Sequence, residues 1–299
     1  VGNTKPVVTS VTLSPPTAYT KTKLTATVAA SDDDAADSLT YTYTWYSGST
    51  KLAATGAELD GATWFEKGES ISVSVVANDG VEDSAPFTSG SVTISNTIPN
   101  VSGVSITPAP AYAADTLTCA WTSFLDADSA DTDLSTVVWK RGGATLGTGK
   151  TLTGGFKGGD NISCTVTAYD GEDTGPSVTA NLIITNSVPV LRSVSLTPTA
   201  ATEKTTLTCT PGTATDADGD TIGYNFAWTV SGTTISKTSH TLIGDYFSKG
   251  DTVMCTVTPR DGKGPGLPVD SNTVTIGNTK PVISTVTLSP TTAYTNTTL

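Results

Sequence analysis

The 299-residue chain has one histidine and one methionine, and Asp, Glu, Lys and Arg together make up only 15% of it. With His240 alone, in Lys237-Thr238-Ser239-His240-Thr241, a histidine-based triad could be built once at most. No Gly-x-Ser-x-Gly elbow frames a nucleophile. There is no phosphate-cradling glycine loop and no histidine cluster for a catalytic metal. Basic residues are scarce, 16 against 28 acidic ones, and the net charge of −12 argues against nucleic-acid binding, which needs a basic surface. No run of 18 apolar residues is present, so the sequence holds no transmembrane segment. The start at Val1-Gly2 has no initiator methionine and no signal-peptide pattern, and the chain reads as a segment of a mature, processed or longer protein. No CxxC pair occurs among the four cysteines.

What the chain has in quantity is threonine, about a fifth of all residues, and a linker signature that occurs four times. It reads Gly2-Asn3-Thr4-Lys5-Pro6, Asn96-Thr97-Ile98-Pro99, Asn186-Ser187-Val188-Pro189 and Gly277-Asn278-Thr279-Lys280-Pro281. The asparagines fall 93, 90 and 92 positions apart, which is the mark of a repeat architecture. Proline fixes φ and biases the preceding residue to extended conformations, so each copy predicts a stiff joint. The expected division is 1–95, 96–185 and 186–277, with 278–299 as the first strands of a fourth repeat.

Within each unit apolar and polar residues alternate, with turn residues every 8 to 12 positions, which predicts antiparallel sandwiches. Leu117, Cys119 and Trp121 share one face of a strand, as do Ile162, Cys164, Val166 and Ala168. Cys119, Trp139 and Cys164, like Cys209, Trp228 and Cys255, have the spacing of an immunoglobulin-type core pin. Disulfides 119–164 and 209–255 are the favoured reading, with buried thiols or a metal site as alternatives. A single histidine and no CxxC weigh against zinc. The cysteines also point to an oxidising, extracellular or cell-surface location. The first repeat keeps Trp45 but has Ala26 and Val73 where cysteines would be, so it has no disulfide and should be the weakest of the three.

Two further signatures recur. Phe65-Glu66-Lys67-Gly68, Phe156-Lys157-Gly158-Gly159 and Phe247-Ser248-Lys249-Gly250 precede the penultimate strand, the glycine supplying a turn. Asp79-Gly80, Asp170-Gly171 and Asp261-Gly262 read as hairpin turns. With the Asn-Thr-x-Pro joint and the tryptophan pin, these make each repeat resemble a bacterial immunoglobulin-like or PKD-type module of large exported proteins. The resemblance covers residues 1–276 and implies surface adhesins, stalks or filaments. It implies no particular ligand, because this fold hosts many functions.

Acidic loops between the second and third strands are the candidate site: Asp32-Asp33-Asp34 with Asp37; Asp126, Asp128, Asp131 and Asp133; and Asp216-Ala217-Asp218-Gly219-Asp220. Convergent carboxylates on a tight turn suit a hard cation such as calcium. Asp216, Asp218, Asp220 and Asp261 form the better set, near the joint at Asn186; Asp126, Asp128 and Asp170 form a second. The third loop lacks the downstream glutamate of an EF-hand, and a solvated acidic turn that aids solubility is the alternative. No organic cofactor is implied. Paired acids for glycoside hydrolysis exist among so many aspartates, but they sit in repeated loops, and repetition argues for structure. The chain is therefore read as a non-enzyme.

Residues 277–299 match residues 2–24 at 17 of 23 positions. Three sandwiches thus read as a higher-order unit that recurs along a longer chain, with its neighbours or copies of itself as partners; alternatively, the last segment completes a neighbouring subunit by strand addition. The sequence reads as tandem immunoglobulin-like β-sandwiches in an extended, extracellular rod that builds a fibre, sheath or stalk. An adhesin that binds a protein or carbohydrate is the alternative.

Overall fold

The computed structural model describes residues 2–34, 38–292, 294–296 and 298; Asp37 lies outside the described residues. The protein is nearly all β, built as tandem immunoglobulin-like sandwiches. Among the described residues every ladder closes within residues 7–95, 100–183 or 190–277. In the first range, Val7–Ser14, Lys23–Ser31 and Glu58–Asp60 form one antiparallel sheet. The facing sheet runs from Ala18–Tyr19 through Val92–Ser95, Ser70–Asn78 and Thr40–Ser47 to Thr50–Lys51. Pro15 and Pro16 end the first strand because proline cannot donate to a ladder, and the chain resumes at Ala18 in the other sheet, parallel to Val92–Ser95. The third range repeats this switch, with Ala201–Thr202 parallel to Val274–Gly277.

Side-chain alternation drives the packing. Along Ser70–Asn78, Ile71, Val73, Val75 and Ala77 all point inward, and along Asn161–Tyr169, Ile162, Cys164, Val166 and Ala168 do the same. Trp45, Trp139 and Trp228 are fully buried. Each lies opposite the inner strand's central position: Trp45 opposite Val73, Trp139 opposite Cys164, Trp228 opposite Cys255. Burial of an indole N–H demands an acceptor, and each finds a carbonyl: Gly56 at 2.8 Å, Gly149 at 2.9 Å and Ser239 at 2.8 Å. Cys119–Cys164 and Cys209–Cys255 are joined, each linking the two sheets across Cα separations of 6.2 and 6.3 Å. Ala26 and Val73 fill the corresponding space in the first repeat as ordinary buried residues. Phe65, Phe156 and Phe247, at the start of the recurring Phe-Gly signatures, are buried. Trp121 differs from the alternation. The strand ends at Ala120, and Trp121 is half-buried, with its N–H on Asp133 at 2.8 Å and the Lys150 ammonium 4.7 Å from its ring.

By spatial contacts the chain divides into two compact units. One holds residues 1–111, 115–155 and 160–183; the other holds 112–114, 156–159 and 184–299. Residues 278–292, expected as strands, form none. Val282, Ile283, Val286 and Leu288 are largely exposed, from 68% to 85%. In the first repeat the equivalent strand, Val7–Ser14, is held by hydrogen bonds to Lys23–Ser31.

Candidate functional site at the acidic joints

The three joints share one hydrogen-bond scaffold. The joint asparagine donates its side-chain amide to the aspartate of the Asp-Gly turn: Asn3 to Asp79 at 3.0 Å, Asn96 to Asp170 at 2.9 Å, Asn186 to Asp261 at 2.8 Å. The next backbone N–H reaches the second aspartate of the acidic loop: Thr4 to Asp34 at 2.7 Å, Thr97 to Asp128 at 2.6 Å, Ser187 to Asp218 at 2.6 Å. That aspartate's own N–H in turn donates to the first aspartate of the loop: Asp34 to Asp32 at 2.8 Å, Asp128 to Asp126 at 2.9 Å, Asp218 to Asp216 at 2.9 Å. Aspartate suits these places because its short side chain folds back onto nearby backbone N–H groups.

The turn aspartates are bound from both sides. Asp79 Oδ1 accepts from the amides of Val81 and Glu82, Asp170 Oδ1 from Glu172 and Asp173, and Asp261 Oδ1 from Lys263 and Gly264, at 2.6 to 2.7 Å. Donors aimed at a carboxylate favour its charged form. The Asn186 amide, with the Gly264 and Lys263 N–H groups, lowers Asp261 to about 2. The Glu82 amide and Asn3 lower Asp79. Burial pushes Asp170 up, but Asn96 and the two amides outweigh it and hold the group below its ordinary value. Each turn glycine has a left-handed φ: 97° at Gly80, 107° at Gly171 and 86° at Gly262.

A second contact at the joint escaped sequence reading. A Cβ on Gly175 would sit 1.9 Å from the Pro99 carbonyl oxygen, and one on Gly266 would sit 2.0 Å from that of Pro189. The joint proline is thus packed directly on the segment that follows the Asp-Gly turn. The offset of five residues from Asp170 to Gly175 and from Asp261 to Gly266 was the available signal. In the first repeat Ser84 holds that place, buried and hydrogen-bonded to the Ala77 amide.

Of the expected cation ligands, Asp216, Asp218 and Asp220 come together, each offering an oxygen within 4.8 Å of the others. Asp261 is tied to the same joint through Asn186 but stands outside that group. In the first unit Asp126 and Asp170 converge with Asp131 instead of with Asp128. Asp128 is taken up by the Thr97 N–H and the Thr20 hydroxyl, and is almost wholly buried. Two lysines reach these loops, which the sequence did not indicate. Lys67 Nζ donates to Asn96 Oδ1 at 3.0 Å, to both Asp131 oxygens at 2.7 and 2.8 Å, and to Glu172 at 2.9 Å. Its pKa is raised, first by Asp131 and then by Glu172. Lys263 Nζ lies 2.8 Å from Asp220 Oδ2 and 3.5 Å from the Gly158 carbonyl.

One oxygen recurs without a partner. Oδ2 of Asp32, of Asp126 and of Asp216, the first aspartate of each loop, is buried and makes no hydrogen bond among the described residues; Asn186 Oδ1 is in the same condition. Burial raises the pKa of Asp126, and the charges of Asp128, Asp131 and Asp170 add to it. An all-oxygen donor set with buried, unpartnered acceptors fits a hard cation.

The chain is similar to the three N-terminal domains of the bacteriophage RB49 Highly Immunogenic Outer Capsid protein (15% identity, 92% of this chain and 100% of that one, TM-score 0.30). It is also similar to chicken CNTN1 FN1–FN3 domains (12% identity, 91% and 100%, TM-score 0.28). A third similar structure is described as a Ca2+-stabilized adhesin that helps an Antarctic bacterium reach out and bind ice (15% identity, 94% and 75%, TM-score 0.34). No protein-family model matches the sequence. No curated protein matches it either.

Proposed function

We propose that this chain is an extracellular structural protein, a spacer of three immunoglobulin-like sandwiches divided near residues 95 and 185, whose joints are stiffened to build a fibre, sheath or stalk. The observation that carries this reading is the joint scaffold, built three times from Asn, Asp and Asp-Gly at equivalent positions. A flexible tether would not repeat the same set of directional bonds at every joint. The two disulfides suit an oxidising compartment, and no described helix is long and apolar enough to cross a membrane. The acidic loops recur in every repeat, which favours a structural role, and the chain is read as a non-enzyme.

Calcium is part of this proposal. It would sit against the unpartnered Oδ2 of Asp126 or Asp216 and draw the loop carboxylates together, with the lysines supplying part of the countercharge. Small-angle scattering tests both parts. The rod reading expects a maximum dimension near the summed length of three sandwiches, about 120 Å from strands of about 8 residues plus loops. A compact particle would refute it. Melting and scattering curves that do not change between EDTA and millimolar calcium would remove calcium from the account.

An adhesin is favoured by one local feature. Tyr224, Phe226 and His240 line an open groove of about 330 Å³ on the third repeat, with Phe226 and His240 rings 6.2 Å apart. Aromatic faces of this kind suit a carbohydrate. Glycan-array binding that is lost in Phe226→Ala would establish it, and a blank array would leave the spacer.

A further inference from the structure

The second repeat leaves open a sheet edge that the other two repeats guard. Its four-stranded sheet runs from Ala144–Thr148 through Thr136–Arg141 and Asn161–Tyr169 to Thr174–Ile183, which pairs on one side only among the described residues. In the first repeat the equivalent edge is bulged. Ser74 faces Thr88 and Ile71 faces Val92, three steps on the inner strand against four on the edge, so the edge carries one extra residue. The third repeat does the same, with Thr256 opposite Asp270 and Val253 opposite Val274. At each bulge a serine turns back onto the inner strand: Ser89 Oγ accepts from the Val73 N–H at 3.1 Å, and Ser271 Oγ from the Cys255 N–H at 3.0 Å. The third repeat adds a charge at the edge, Asp270, and a clamp. The Asn272 side chain accepts from the Leu196 N–H at 2.8 Å and donates to the Leu196 carbonyl at 3.1 Å. Bulges and charges are devices that keep an edge strand from pairing with another chain.

The second repeat has neither device. Thr165 faces Thr179 and Ile162 faces Leu182, three steps on each strand, so the ladder runs through without a bulge. Residues 174–183 read Thr-Gly-Pro-Ser-Val-Thr-Ala-Asn-Leu-Ile and hold no charge, in a chain of net charge −12. Pro176 stands near the start of the strand and leaves residues 177–183 with a backbone N–H each. Along an edge strand alternate N–H and C=O groups point away from the sheet and offer a template for pairing. Val178, Ala180 and Leu182 turn inward but are only half-buried, while Ser177, Thr179, Asn181 and Ile183 are exposed. The counterparts of Leu182 on the guarded edges, Val92 and Val274, are 8% and 1% exposed. On the outer face Thr165 and Thr179 share a hydrogen bond at 2.8 Å, as do Thr167 and Ser177, a row that a further strand would extend.

This edge is complementary to itself. An antiparallel copy turned about Ala180 sets Val178 opposite Leu182 and Thr179 opposite Asn181, apolar on apolar and polar on polar. A slip of one residue would set inward positions against outward ones, so the register is specified. With no charged residue on the strand, pairing brings no like charges opposite each other. A two-fold contact of this kind uses the same patch on both chains.

We propose that residues 177–183 pair edge to edge with the same residues of a second copy of this chain, joining the two four-stranded sheets into one antiparallel sheet about a two-fold axis at Ala180. This goes beyond the spacer reading and does not depend on the joints: it ties copies together through the second repeat.

Sedimentation velocity of the full chain tests it. Monomer should give way to dimer as concentration rises, with a Kd of about 1 mM or tighter. Amide exchange at the higher concentration should slow by about tenfold at residues 177–183 and stay unchanged at residues 87–95 and 269–277. Two variants restore a guard. Thr179→Lys places a charge on the exposed side of the edge. Replacing Ala180-Asn181 by Ser-Gly-Ser, the sequence at 89–91 in the first repeat, restores the extra residue. Both should be monomeric, and Thr179→Lys should melt within about 1 °C of the parent at low concentration, because its site is exposed. Thr148→Lys, on the exposed opposite edge of the same sheet, changes the net charge equally and should leave the dimer intact. A parent that stays monomeric up to about 1 mM, a dimer that survives both guarded variants, or one that Thr148→Lys dissolves as readily, would overturn the proposal.

Discussion

Replacing Lys67 by methionine isolates the electrostatic part of a joint, since methionine keeps the length of the aliphatic stem and removes the ammonium. In the native chain the side chains of Lys67 and Asp131 are only 21% and 11% exposed, so this pair is neither a surface ion pair nor a fully buried one. Exposed pairs contribute about 0.2–1 kcal/mol, while stranding one member of a buried pair costs about 3–5 kcal/mol. An intermediate loss of about 2 kcal/mol is expected. For a unit of 150–250 residues each kcal/mol moves the midpoint by about 2–4 °C, so the first unit should melt about 4–8 °C lower, with the second unaffected. Scanning calorimetry in EDTA reads this directly. Calcium then becomes informative: the variant leaves Asp126, Asp131 and Asp170 converging without an ammonium, so millimolar calcium should recover more of its midpoint than it adds to the parent. High salt should mimic part of the loss in the parent. A shift below about 1 °C in EDTA would show that the ammonium is not paired in solution, and the argument that these joints are charge-locked would fall.

Gly175→Ala puts a methyl 1.9 Å from the Pro99 carbonyl oxygen, a backbone atom that cannot rotate away, and should destabilise the first unit by about 1–3 kcal/mol; a neutral midpoint would show that the joint proline is not packed there. Cys209→Ala with Cys255→Ala opens a 46-residue separation and should cost the third repeat about 4 kcal/mol, and mild reductant should leave the first repeat's transition in place because it has no bond to lose. The acid profile has a defined sign. Asp79, Asp170 and Asp261 are depressed in the folded chain, so their contribution is complete above the ordinary carboxylate range and is lost as pH falls, for Asp261 toward about 2. Asp126 is raised and works the other way, since its protonation on acidification relieves a folded-state penalty in the first unit. Urea midpoints of the second unit should therefore fall from pH 6 to 2, and Asn186→Ala should flatten that fall; identical profiles for parent and variant would refute the assignment.

Much of this protein follows from periodicities that need no coordinates. Strict alternation gives each strand one inward face, and it placed Trp45, Trp139, Trp228 and the four cysteines on that face, where they are buried. The clustering of Asp216, Asp218 and Asp220 was legible because a tight turn brings near neighbours together whatever the rest of the chain does. Contacts between residues far apart in sequence were decided only by tertiary structure. Asp131 rather than Asp128 joins Asp126 and Asp170 because Thr20, 108 residues away, claims Asp128. Lys67, 64 residues from Asp131, brings a charge that no local pattern announces, and Gly175 is a glycine because a proline carbonyl from another segment occupies the space of its Cβ. Pairing decided the last segment as well. Val282–Leu288 has the alternation of the first strand and still forms none, since a strand is held by its neighbour's hydrogen bonds and not by its own sequence.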